Sequence, residues 1–256
     1  MSQNVLLEKM TWPETQAALK NGFDTVILMT GSIEQHGPHL PLGTDTFLGY
    51  QLAQEMAQLM GHTLVAPVLR PGLSEHHMAF KGTITISKDT FNALVCDYVD
   101  SLVRHGFKRI ILSYSHGGNA QTLGALAPKL AAKYPHIKFL LNNDMQADYE
   151  TGVLPIAEKD GIDDGVRGVH AGEFETSVML AYDESLVRTD KLAVGFTGDL
   201  SSDKESLNKL LKDGLHSVTD NGILGDARPA NKERGELYMK ATAQSLINSL
   251  MEVKAE

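Results

Sequence analysis

The chain has 256 residues, 42% of them apolar and 21% charged, the balance of an ordinary globular protein long enough to bury a substantial core. Its net charge of −9 comes from acids scattered along the sequence, which argues against non-specific nucleic-acid or membrane-surface binding, since both need clustered Lys and Arg. Cys96 stands alone, so no intramolecular disulfide is expected and a reducing cytoplasm suits the chain, while no apolar run approaches membrane-spanning length.

Strand and helix patterns alternate almost throughout, which predicts an α/β fold with a mostly parallel sheet covered on both faces, in one domain over residues 1–256. Thr11 to Lys20 reads as a first helix, with Thr11 and Glu14 placed for a capping box. Thr25–Thr30 is an apolar strand that runs into Gly31-Ser32-Ile33-Glu34-Gln35-His36-Gly37-Pro38-His39-Leu40-Pro41-Leu42-Gly43-Thr44-Asp45. In an extended backbone positions i and i+2 share a side. Glu34 and His36 can therefore face one point beyond the strand end, while Pro38, Pro41 and Gly43 turn the chain back towards it. A mixed Glu, His and Asp set suits zinc, manganese or iron(II), and suits copper(I) or an iron–sulfur cluster poorly.

Asp45 to Met60 repeats apolar residues at helical spacing and stops at Gly61. Thr63 to Leu69 is a second strand candidate, followed by a loop with Ser74, Glu75, His76 and His77 and by the alternating run Thr83 to Ile86. Ser87 caps a helix with the stripe Phe91, Leu94, Val95, Tyr98, Leu102 and Val103, which Gly106 ends. Cys96 lies within it as a small core residue. Strand Arg109–Tyr114 leads into Ser115-His116-Gly117-Gly118-Asn119 and then a helix to about Lys133. Ile137 to Asn142 is another strand, and residues 144–168 read as a long surface loop or short helix near the site entrance. His170-Ala171-Gly172-Glu173-Phe174-Glu175-Thr176-Ser177 opens a helix to about Tyr182. A short strand near Leu192–Phe196, a polar helix from Ser202, a turn-rich Gly222–Arg228 and a helix from about Leu237 complete the pattern.

Ligands of parallel sheets gather at the carboxyl ends of strands. Glu34, His36 and His116 sit at such ends, and His170 and Glu175 at a helix start could complete the ring. If Asp45 bridges, Glu34, Asp45 and His116 hold one ion and His36, Asp45 and Glu175 a second, each with positions open to water and substrate. Inert readings stand beside these. His116-Gly117-Gly118-Asn119 could be a tight turn with Asn119 as N-cap and its amides facing an anion. His170 could be a satisfied buried histidine, and Glu173 or Glu175 a carboxylate answering the helix dipole. His39, His76 and His77 suit places behind the ligands or at the surface. The joint placement of the set at strand ends and helix starts favours a hydrolytic site. In that site His170 delivers a proton to the leaving group, Glu173 orients its ring, and Ser74, His77, Gly117, Gly118 and Asn119 contact the substrate.

The run Gly31 to Asp45 resembles the signature loop of the creatininase (creatinine amidohydrolase) family. The resemblance continues in Gly72-Leu73-Ser74 with His77, Phe80 and Gly82-Thr83, in His116-Gly117-Gly118-Asn119, in His170-Ala171-Gly172 with Glu175-Thr176-Ser177, and in Gly225-Asp226 with Arg228, so it covers nearly the whole chain. It implies a three-layer α/β/α fold, two divalent ions (Zn²⁺ or Mn²⁺, sometimes Fe²⁺), and hydrolysis of small cyclic amides, formamides or related compounds by a hexameric homo-oligomer. Two departures bear on the substrate. The namesake enzyme clamps creatinine with tryptophans near the later motifs, whereas this chain has only Trp12. The namesake also carries a glutamate two residues after the third-motif histidine, where this chain has Gly118; that moves the second carboxylate to Glu175. Rival readings are a deformylase, a ring-opening hydrolase of a cyclic keto-sugar or lactone, and a metal-binding structural or regulatory protein without turnover.

Overall fold

The computed structural model describes residues 4–142, 151–200 and 202–252. Among them four strands form one parallel sheet: β1 (Thr25–Thr30), β2 (Thr63–Val65), β3 (Arg109–Tyr114) and β4 (Lys138–Leu141), in the order β2-β1-β3-β4. The helices are α1 (Trp12–Lys20), α2 (Thr44–Met60), α3 (Lys88–His105), α4 (Ala120–Lys133), α5 (Leu154–Lys159), α6 (Asp164–Arg167), α7 (Glu173–Asp183), α8 (Lys204–Asp213) and α9 (Lys232–Glu252).

Strand alternation sorts the core into two halves. Val26 and Leu28 of β1 pack with Ala18 of α1, Phe91 and Val95 of α3, and Leu123 of α4. Ile27 and Met29 face the other way, onto Leu52 and Met56 of α2, Met179 of α7 and Tyr238 of α9. The result is the three-layer α/β/α arrangement. Cys96 packs partly buried against the first half.

Local signals set most element ends. Glu14 accepts hydrogen bonds from the backbone N–H and hydroxyl of Thr11 at 2.6 and 2.8 Å, starting α1. The Ser87 hydroxyl accepts from Thr90 N at the start of α3, and Gly106 ends that helix at φ +98°. Three expectations need correction. Of Thr63 to Leu69 only the first three residues form strand, because Pro67 brings no N–H, and Leu69 rejoins β1 through a bridge to Thr30. Thr83 to Ile86 and Leu192 to Phe196 likewise pair only through single bridges: Ile33 with Ile84, Gly72 with Thr85, and Val194 with Asp226. The last helix begins at Lys232 rather than near Leu237, since the Asn231 side chain accepts from Arg234 N at 2.9 Å and caps it. Of the predicted loop 144–168, residues 144–150 lie outside the described residues, and the rest carries α5 and α6. No helix among the described residues is long and apolar enough to cross a membrane.

The sheet order reverses between β1 and β3, since the chain passes from β1 to β2 on one side and then to β3 on the other. Such a switch point opens a crevice at the carboxyl ends of the two strands. The segments 31–45 and 115–119 leave β1 and β3 at that crevice.

Candidate active site

Seven of the sequence-selected side chains meet at the crevice; six are buried, and Glu175 is partly exposed. Glu34 Oε1 is 3.3 Å from His116 Nδ1, 3.4 Å from His77 Nε2 and 3.8 Å from His170 Nδ1. Asp45 Oδ1 is 3.3 Å from His36 Nε2, and its Oδ2 is 3.3 Å from His116 Nδ1. Glu175 Oε2, from the first turn of α7, is 3.8 Å from His36 Nε2.

The outer nitrogens of three rings are tied to backbone carbonyls. His36 Nδ1–H donates to Glu34 O at 3.1 Å, His116 Nε2–H to Leu73 O at 3.2 Å, and His170 Nε2–H to Gln35 O at 2.8 Å. This fixes which nitrogen faces the carboxylates, and loss of a proton from that inner nitrogen gives the lone pair that a metal-binding imidazole requires. Glu34 Oε2 and His36 Nε2 are buried and make no hydrogen bond. Buried polar atoms without partners are rare, and these two point at a centre that a cation would fill. Glu34, His36 and Asp45 form one set whose donor atoms could hold a metal; His36, His170 and Glu175 form a second, and Glu34, His77 and His170 a third.

The electrostatics agree with a cation site. Burial opposes charge on His36, yet Asp45, Glu175 and Glu34 outweigh it and lift its pKa to about 10. His116 is raised likewise: burial is overcome by hydrogen bonding to Asp45 and Glu34. Burial opposes charge on Asp45 as well, but His36 and His116 hold it well below the usual carboxylate range. Burial pushes Glu175 up to about 7, with Asp45 and Glu34 adding to the effect and His36 opposing it. His170 falls well below its ordinary value through burial and the neighbouring His36, so its ring rests neutral.

Gln35 organises the far side of the cluster, and the sequence pattern treats it only as the spacer between Glu34 and His36. Its Nε2 donates to Gly222 O at 3.1 Å and His77 Nδ1 at 3.0 Å, and its Oε1 accepts from Gly37 N at 2.9 Å. His77 therefore carries its proton on Nε2 and points it at Glu34. Gly222, at φ +79°, leaves no room for a side chain, because a Cβ would lie 1.9 Å from Gln35 Oε1. Ser32, whose hydroxyl donates to Asp45 Oδ2, is a second group that spacing does not single out.

Several expected roles change. Glu173 does not reach His170 in any described contact. It is buried, accepting from Ser177 Oγ at 2.6 Å, Arg234 Nε at 2.7 Å and Tyr238 OH at 3.0 Å, so the ring-orienting group is Gln35. Asn119 does not cap α4 with its side chain: Oδ1 accepts from Leu73 N at 3.0 Å and Nδ2 donates to Gly31 O at 2.9 Å, which ties three loops together and leaves little for a substrate. Ser74 lies buried behind His116, with Oγ 3.5 Å from Nε2. A Cβ on Gly118 would sit 2.4 Å from His116 Nε2 and 2.5 Å from Leu73 O, so a carboxylate-bearing residue has no room at this position. Replacing Glu173 by Ala would leave Arg234 buried without that carboxylate, and is expected to cost roughly 3–5 kcal/mol. Urea unfolding measures this, and an unchanged midpoint would show that Glu173 does not support the fold.

Two cavities flank the cluster and share Gly117, Val169 and His170. One, of about 260 Å³, is lined by Glu34, His76, His77 and His116 and roofed by leucines of α8 and its neighbours. The other, of about 430 Å³, runs from Glu175 and His170 to Tyr114, Phe174 and Arg167. Arg167 and Gly168 thus bring the end of the 144–168 segment to the site entrance.

The family model of the creatininases, described as creatinine amidohydrolase, matches residues 8–250. The chain belongs to the creatininase family. It is 31% identical over 227 residues to a mycofactocin precursor peptide peptidase of Mycolicibacterium smegmatis, covering 87% of this chain and 82% of that protein. It is 26% identical over 270 residues to the creatinine amidohydrolase of Pseudomonas putida, covering 98% of each. A mutant creatininase of zinc–zinc type superposes with a TM-score of 0.77 at 25% identity, covering 100% of both chains. Creatininase-family membership makes the chain a hydrolase, and the non-catalytic reading falls away.

Proposed function

We propose that this creatininase-family hydrolase carries two divalent ions, the first on Glu34, Asp45 and His116 and the second on His36, Asp45 and Glu175, and that it cleaves a small cyclic or linear amide. The observation that carries the reading is the arrangement about Asp45. One buried carboxylate presents Oδ1 to His36 Nε2 and Oδ2 to His116 Nδ1, each at 3.3 Å, and both rings are fixed from behind. Two buried carboxylates, Glu34 and Asp45, with the partly exposed Glu175 beside them, demand positive charge, and the donor set suits Zn²⁺, Mn²⁺ or Fe²⁺. The zinc–zinc creatininase supports the pairing of ions. Ions bound there would polarise a substrate carbonyl and activate water.

The chain's own residues supply the rest. His170 reaches both cavities, is held on Gln35 O through Nε2–H, and turns a neutral Nδ1 towards the cluster. It can take up the proton lost by the attacking water and pass it to the leaving nitrogen. Gly117 lines both cavities with nothing within 4 Å of where its Cβ would lie, so a substrate can approach the backbone there. Trp12 is 77% exposed on α1, in the opposite layer, and supplies no aromatic clamp. Creatinine is therefore a poor fit. An amidohydrolase and a peptidase among the relatives both break amide C–N bonds, and this shared chemistry is what the site supports.

The test is a panel on zinc- or manganese-loaded protein: creatinine, dihydrouracil, N-formyl-leucine, N-acetyl-leucine and δ-valerolactone. Opening or cleavage of an amide member supports the reading. Formate release alone would favour a deformylase, and opening of the lactone alone would overturn amide specificity.

A further inference from the structure

We propose that Leu207 and Leu210 of α8 select the substrate, the 260 Å³ cavity taking a small branched aliphatic group attached to the scissile amide. This rests on the amide-cleaving reading above and narrows its substrate class. The cavity has two unlike walls. Glu34, His116 and His170 stand on one, while Leu207, Leu210, Leu215, Leu224 and Val169 line the other. Leu215 and Leu224 are buried in the protein itself, but Leu207 and Leu210 are only half-buried and Val169 is 71% exposed. Those three keep apolar surface beside a polar cluster, surface that an aliphatic ligand would take out of water.

The helix is oriented for this role. Leu207 and Leu210 share one face of α8, at helical spacing i and i+3, and the exposed ion pair of Glu205 with Lys209 at 2.8 Å marks the opposite face. Both ends are fixed. Asp203 Oδ1 accepts from Ser206 N at 3.1 Å, and Gly214 N donates to Leu210 O at 3.0 Å. Gly214, at φ +92°, brings the chain against the histidine turn, where a Cβ would lie 3.0 Å from His76 O. The two leucines are thus held across the cavity from Glu34 and His116. An amide whose carbonyl lies at the cluster can extend its aliphatic group onto them. Hydrolysis then breaks the C–N bond, the carbonyl carbon gaining hydroxyl and the nitrogen gaining the proton.

The experiment titrates protein with ¹³C-labelled leucine methyls against acetamide and isovaleramide, followed by NMR. Burial of each added carbon is worth about fourfold, so isovaleramide should bind roughly 10- to 50-fold more tightly, with saturable shifts at Leu207 and Leu210. Leu210→Trp fills the cavity and should abolish the preference, whereas Leu207→Ala should move it towards the longer 4-methylpentanamide. Equal binding of acetamide and isovaleramide by the unaltered protein would overturn the proposal. So would shifts confined to Leu48 and Leu52 in the larger cavity, or a preference that survives in folded Leu210→Trp protein. Turnover by metal-loaded protein then names the side of the amide that enters the cavity. Faster cleavage of isovaleramide than of acetamide assigns the acyl side, and faster cleavage of N-isobutylacetamide than of N-methylacetamide assigns the nitrogen side. Cleavage with neither preference would overturn the proposal and leave the amidohydrolase reading intact. Selective binding with no cleavage of any of the four would sink that reading for this class while leaving the leucine contact standing.

Discussion

Replacing Asp45 by Ala is expected to strip both metal ions and to lower turnover by more than roughly 10⁴-fold, beyond the usual cost of a lost acid–base group. The reason is geometric. Asp45 Oδ1 faces His36 Nε2 and Oδ2 faces His116 Nδ1, so one carboxylate serves both halves of the cluster. Without it each half keeps one carboxylate and one imidazole, too few donors to hold a divalent ion tightly. Glu175→Ala should behave differently, retaining the ion on Glu34, Asp45 and His116 while losing the other. Asp45→Asn gives a control of nearly equal volume that can still accept from Ser32, and it should also lose metal because the charge is gone. Metal analysis of the purified variants decides between these outcomes, and an Asp45→Ala protein with two ions and full activity would refute the bridge.

His170→Ala should lower kcat by roughly 10²- to 10⁴-fold while metal content stays at two, the expected size for loss of a proton carrier. The ring is neutral at rest and buried between both cavities, with Nδ1 3.8 Å from Glu34 Oε1. The fold should persist, because the partner left behind is the Gln35 carbonyl, and water can enter the space vacated by His170, which lines both cavities. The competing role is that of a ligand, since His170 belongs to two of the three donor sets that could hold an ion. Loss of an ion together with activity would make it a ligand. Retention of both would pass the proton role to His77, whose Nε2 lies 3.4 Å from the same oxygen.

The parts of this molecule that were legible in the sequence are those written locally. Strands β1 and β3 run between the same residues that hydrophobic patterning marks, and Ser87, Gly61 and Gly106 bound their helices where capping chemistry places them. The pairing of Glu34 with His36 follows from alternation beyond a strand end, and the sheet's switch point explains why the loop after β3 meets them. What spacing could not show depends on distant partners. Glu173 reads as a site residue until Arg234, 61 positions on, takes its carboxylate into the core. Asn119 reads as a cap until Leu73 and Gly31 claim both ends of its side chain. Gln35 was missed for the opposite reason. It sits between two ligand candidates on the face that alternation assigns away from them, and only the fold brings His77, His170 and Gly222 around it.

The central claim is that these buried groups form a two-ion centre, and a calorimetric titration of metal-free protein with Zn²⁺ or Mn²⁺ at neutral pH tests it most directly. His36 holds a proton up to a pKa of about 10 in the metal-free site, so an ion must displace it. Uptake of two ions per chain is expected, with protons released to the buffer and with affinity rising as pH rises. A titration that saturates at one ion, or shows no uptake, would contradict the account.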